Sequence, residues 1–143
     1  MCSTLVALAA VSAATPSAAQ SAAPAASVVA AGELKWTQVP DTPAKMATVR
    51  GDAAKGPHAS FMKLPGGFSA PLHSHSADHD VVVVSGTLTM TPEGSAAKKL
   101  GPGSWFEFTG KKKHVTTCDA GADCVLFIAA KAAWDLVPAE AAR

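Results

Sequence analysis

After residue 33 the chain is cut into short β-branched or aromatic runs, separated about every ten residues by Gly, Pro, Asp and Ser. Helical periodicity is almost absent there, so the pattern predicts an all-β fold. The expected strands cover 35–39, 45–50, 58–64, 70–74, 80–85, 87–91, 98–100, 104–108, 114–118 and 124–131. Ser85-Gly86 and Pro92-Glu93-Gly94-Ser95 have the residue chemistry of hairpin turns, and Pro65-Gly66-Gly67 and Gly101-Pro102-Gly103 read the same way. The tail 132–143, with Trp134, Leu136 and Val137, is expected to close one end of the fold or to form a short helix. Many short strands at even spacing fit an immunoglobulin-like sandwich or a jelly-roll barrel.

The histidines decide between the two. Four of the five in the chain are His73, His75, His79 and His114. Side chains alternate faces along a strand, so offsets of two and six put His73, His75 and His79 on one side of a regular strand. Converging imidazoles are costly to bury for packing alone and suit a divalent metal. Asp78 and Asp80 flank His79, and a bulge would present Asp78 in its place or leave His79 supporting a ligand. His58 reads as a rim or surface residue. In Gly103-Ser104-Trp105-Phe106-Glu107-Phe108 the aromatic residues alternate in and out, and Glu107 is a weaker candidate for an acid/base or supporting group.

Residues 67–86 have the pattern Gly67-x5-His73-x-His75-x3-His79-x6-Gly86, which resembles the first motif of the cupin superfamily. Every spacing is met, and the single departure is His79 where the family has Glu. Gly103-x5-Thr109 followed by His114-x3-Cys118 is similar to the second motif. There Thr109 stands for its Pro, Lys111 for its Gly and Cys118 for its Asn. The resemblance spans about residues 58–131 and implies a jelly-roll barrel that binds a divalent transition metal (Fe, Mn, Cu, Ni or Zn) through His73, His75, His79 and His114. Four neutral imidazoles leave the ion's full charge in place, which favours an anionic co-ligand or substrate. Two open positions on an octahedral ion would then serve a chelating small molecule, or a small molecule plus dioxygen. The resemblance thus implies an oxygenase-like enzyme or, from another class, a non-catalytic protein that buffers metal or captures a small ligand, because the fold hosts both. Cupins often pair through barrel edges, so a homodimer is the expected assembly.

Other functions lack their sequence signals. Twelve Lys and Arg against eleven Asp and Glu give a net charge of +1, with no basic stripe for nucleic acid. Lys111, Lys112 and Lys113 read as a solvated turn. No Ser-His-Asp arrangement, phosphate-binding Gly loop or paired-carboxylate site is visible.

The first residues read as a secretory signal. An apolar stretch over 5–14 is followed by Ser17 and Ala19, placed for cleavage before Gln20, although no Lys or Arg precedes the stretch. The expected organisation is a signal over 1–19, a flexible segment over 20–32 and one barrel domain over 33–143, in a periplasmic or secreted protein. Nothing approaches the roughly 20 apolar residues of a membrane helix, so no membrane partner is expected. Cys118 and Cys124 flank a five-residue turn, Asp119-Ala120-Gly121-Ala122-Asp123, and face each other if the two runs form a hairpin. In an oxidising compartment a disulfide is the default; buried free thiols, or Cys118 close to a metal, are the alternatives.

Overall fold

The structure is a computed structural model and describes residues 26–139; the expected signal over 1–19 and the last residues of the tail lie outside them. A 3-10 turn at Ala31–Glu33 precedes strands β1 (Thr37–Gln38), β2 (Lys45–Gly51), β3 (His58–Leu64), β4 (Ser69–Ser74) and β5 (His79–Ser85). Then follow β6 (Leu88–Pro92), β7 (Lys98–Leu100), β8 (Trp105–Phe108), β9 (His114–Cys118), β10 (Cys124–Ala130) and β11 (Val137–Pro138). Most match the expected runs to within one residue. The main difference at the start is β1, which keeps only two residues of the expected 35–39. The tail adds β11, so a strand rather than a helix closes that end.

Two antiparallel sheets form. One has six strands in the order β1-β2-β3-β10-β5-β8, the other five in the order β11-β4-β9-β6-β7. Alternation along β10 explains how the first sheet has two different faces: Cys124, Leu126, Ile128 and Ala130 are buried while Val125, Phe127 and Ala129 are half-buried. The core joins Met46, Met62, Val81, Val83, Leu126 and Ile128 of the six-stranded sheet to Leu88, Met90 and Leu100 of the other. A double antiparallel sheet with strands alternating between layers is the jelly-roll architecture, as expected.

Cys118 and Cys124 form a disulfide, with Cα atoms 5.8 Å apart. The pairing is as expected but its setting is not. Cys118 ends β9 of the five-stranded sheet and Cys124 begins β10 of the six-stranded one, so the bond staples the two sheets at one end rather than crossing a hairpin. Gly86, the last residue of the first motif, packs beside it at φ +78°; a Cβ there would lie 2.8 Å from the Asp123 carbonyl oxygen and 2.9 Å from Cys124 Sγ. Only glycine fits both the backbone and the space. Among the described residues no helix is long and apolar enough to cross a membrane.

Candidate metal centre

The opposite ends of the same strands carry the histidines. His73 in β4 and His114 in β9 are direct cross-strand partners, so both imidazoles stand on the inner face of the five-stranded sheet. A bulge between Ala70 and His73 in β4 shifts the alternation and keeps both of those residues buried. β4 ends at Ser74, and His75 follows just before the bend at Ser76 and Ala77. His79 opens β5 in the other sheet, paired with Ala130 and Phe108. The histidines therefore converge from two sheets, and a single regular strand is not what aligns them.

His73, His75 and His114 are all buried, and their ligating nitrogens lie within 4.8 Å of one another. The ring centroids are 4.9 Å apart for His73 and His75, and 4.4 Å for His73 and His114. His79 is buried on the same cavity, 4.9 Å from His75 but 6.5 Å from His114 by ring centroid. Asp78, the alternative to it, is turned away: its carboxylate accepts the Gly110 N–H at 2.9 Å in the turn before β9.

Every one of the four is held through Nδ1 by a main-chain carbonyl. His73 donates to Pro71 at 2.6 Å, His79 to Ala77 at 2.8 Å and His114 to Lys112 at 2.9 Å, while His75 donates to Asp135. Three of these carbonyls are two residues upstream and therefore local; that of Asp135 comes from the C-terminal strap. Donation from Nδ1 fixes the tautomer with the Nε2 lone pair free, the form in which imidazole binds a metal. Stacking adds to the fixing. Phe108 lies flat on His114, with centroids 3.9 Å apart and planes 7° apart, and Trp134 covers His75 at 4.1 Å.

Burial pushes all four imidazoles below the usual histidine range, and the carbonyl bonds only partly pull them back. His75 is pushed down to about 3, with the nearby His79, His73 and His114 adding to the effect of burial, and His114 to about 4. At neutral pH the cluster is uncharged and every Nε2 keeps its lone pair. The cavity it lines has a volume of about 60 Å³ and is otherwise walled mostly by apolar side chains, among them Met62, Phe106, Leu126 and Trp134, with Thr42 and Thr116 the other polar residues of the lining. Four neutral imidazole nitrogens in a mostly apolar wall fit a transition metal.

The strap over 131–139 was not legible as part of the site. Lys131 N–H donates to Asp78, Trp134 N–H to Ala53 and Ala139 N–H to Leu72, while the Asp135 carboxylate accepts Ser76 N–H at 2.7 Å. Trp134 and Asp135 thus reach the histidines because β11 pairs with β4; the only sequence signal was the apolar tail itself. Two weaker alternatives fall away and one expectation, for His58, is corrected. Cys118 is too far along β9 to reach the cavity and is bonded to Cys124. Glu107 faces outward beside Asp80, because Phe106 and Phe108 take the inward positions. His58 is buried, 4% exposed, since its row across the sheet is that of Ala130 and His79. It meets Trp134 edge-on at 6.2 Å.

Residues 9–137 match the model of the family described as "Domain of unknown function (DUF4437)". The chain belongs to that family. No curated protein matches it. Among solved structures it is similar to the polyketide cyclase RemF from Streptomyces resistomycificus, with 15% identity and a TM-score of 0.69 over 82% of this chain and 88% of that one. A cupin 2 conserved barrel domain protein from Rhodopseudomonas palustris matches at 15% identity and a TM-score of 0.62, covering 80% and 86% of the two chains. The DMSP lyase DddQ from Ruegeria pomeroyi gives 17% identity and a TM-score of 0.58 over 70% and 57%. The fold is that of a cupin, as the two motifs implied.

Proposed function

We propose that this family member is an exported mononuclear-metal cupin acting on a small molecule, with His73, His75 and His114 holding a divalent transition metal and His79 as the fourth ligand. The observation that carries this reading is the shared Nδ1 bonding: four buried, neutral imidazoles on one cavity, each turned by a carbonyl so that Nε2 remains free. Neutral histidines buried for packing alone would not each need a free lone pair on one cavity. When bound, the metal would supply Lewis-acid or redox activation of the small molecule, which makes an oxygenase-like reaction the favoured chemistry.

The chain's own groups set what can enter. The cavity of about 60 Å³ admits an ion with a few water-sized ligands, and Trp134 and Phe106 present aromatic walls to anything larger. The neutral donors contribute no negative charge, so an anionic or chelating molecule is favoured at the remaining positions. With Glu107 outside and Asp78 engaged with Gly110, no carboxylate among the described residues lines this cavity. Similarity to a polyketide cyclase and a DMSP lyase supports small-molecule chemistry in general.

The smallness of the cavity also favours a second reading, a periplasmic protein that holds metal without turnover. Metal analysis of the protein from its native compartment, followed by oxygen uptake with a panel of diketones, phenols and thiols, separates them. Bound metal with oxygen uptake supports the enzyme, and bound metal that no panel member turns over supports the holding protein. If no transition metal copurifies or rebinds, both readings fail.

A further inference from the structure

Three of the four cavity histidines find their Nδ1 acceptor two residues upstream, whereas His75 finds its own in Asp135, 60 residues away. Asp135 holds this stretch twice. Its main-chain carbonyl accepts from the His75 ring, and its carboxylate accepts the N–H of the next residue, Ser76, at 2.7 Å. Trp134 lies over the His75 ring with planes 31° apart, and meets His79 edge-on at 5.1 Å. His75 lies just past the end of β4, so ladder pairing does not fix its backbone.

The strap that carries Trp134 and Asp135 is itself lightly tied. β11 is the edge of the five-stranded sheet and pairs with β4 through two residues, Val137 and Pro138, the second of which has no N–H to donate. Ahead of it, the Lys131 and Trp134 N–H groups each donate to a loop carbonyl, those of Asp78 and Ala53. Leu136 lines the cavity and is at the same time 38% exposed, so on this side one side chain separates the site from solvent.

We propose that Asp135 is a positioning residue acting through His75, and that the strap over 131–139 and this ligand close and release as one unit. The inference rests on the reading of His75 as a metal ligand. With the strap down, the His75 ring is fixed with Nε2 free for the cavity. With the strap lifted, the ring loses its Nδ1 acceptor and its stacked cover, and the wall made by Trp134 and Leu136 opens. That opening admits a molecule larger than a cavity of about 60 Å³ can hold. Such coupling is reciprocal: the factor by which a closed strap tightens metal binding is the factor by which metal holds the strap closed. His73, His79 and His114, oriented by local carbonyls, do not depend on the strap for their tautomer.

Hydrogen exchange and metal titration on the full chain test this, with zinc as the probe ion. Zinc loading of the wild type should slow exchange of the Trp134 and Ala139 amides about tenfold, an arm that needs no substitution. Asp135→Ala should weaken zinc binding about tenfold or more and shift the cobalt(II) absorption spectrum. Asp135→Asn, whose amide oxygen still accepts from Ser76, should restore most of both. In a His75→Ala background Asp135→Ala should change zinc affinity no further, because the residue works through that ring. A wild type that binds zinc with unchanged strap exchange overturns the proposal. So does an Asp135→Ala variant of wild-type affinity, or an effect of Asp135→Ala that persists without His75. Those results leave the metal reading standing, whereas a wild type that binds neither zinc nor cobalt overturns that reading and the proposal with it.

Discussion

The two ends of this barrel join the same two sheets by opposite means. At one end Cys118 and Cys124 link β9 to β10 covalently, with Gly86 packed against the bond and no room for a side chain. At the other, His73 and His114 of one sheet face His79 of the other across a cavity, and the link consists of neutral imidazoles, stacked rings and a C-terminal strap. The difference separates an end tied by a covalent bond from the end at which the proposed metal chemistry would take place. A stapled end fixes the spacing of the strands, which lets the far end keep polar groups buried around a cavity that packing alone would fill.

Acid should separate the two ends most strongly. Neutral His75 and His114 bind protons less readily in the folded than in the unfolded chain, so the unfolded state takes up more protons below about pH 6.5. Stability of the metal-free protein is therefore present above that pH. It is lost as pH falls toward about 4 for His114 and about 3 for His75. Each group contributes a slope of up to about 1.4 kcal/mol per pH unit within its window. Urea unfolding of metal-free protein between pH 7 and pH 4 checks this, and a flat stability would break the picture of a neutral, desolvated cluster.

Removing one ligand comes next. His75→Ala should lower transition-metal affinity by more than about a hundredfold, given that even outer partners of metal ligands cost 10- to 100-fold. The disulfide end should not notice: thiol titration under denaturant should still find no free thiol from Cys118 and Cys124. The converse experiment is smaller. Replacing both Cys118 and Cys124 by Ala should cost about 2 kcal/mol of stability, for so short a loop, with metal stoichiometry kept. If metal binding were lost with the disulfide, the two ends would not be separable.

The smallest effect concerns the turn that presents His114. Lys111 has φ +58°, the left-handed conformation, at the position where the second cupin motif has glycine. A lysine there is strained, so Lys111→Gly should gain about 1 kcal/mol without altering metal affinity. Thermal unfolding reads the gain.

Much of this was legible in the residues, and for physical reasons. The turns and the β-branched runs placed the strands because Gly, Pro and alternation act locally; β3, β7 and β9 carry the expected limits. The four histidines were found, but parity along one strand was the wrong cause. His79 reaches the cavity from the opposite sheet, and pairing between sheets has no local signal. The same limit hid Trp134 and Asp135, brought in by a tail that returns some sixty residues later to β4. Burial of His58 and the outward turn of Glu107 followed from register, which a single strand does not specify.

The central claim is that four carbonyl-oriented imidazoles hold one metal ion. Cobalt(II) titration of the metal-free wild type and of His73→Ala, followed by visible absorption, tests it most directly. The account predicts saturation at one ion per chain for the wild type, with a nitrogen-ligated spectrum that His73→Ala abolishes or weakens at least about tenfold in affinity. A wild type that binds no cobalt, or a His73→Ala variant that titrates identically, would contradict it.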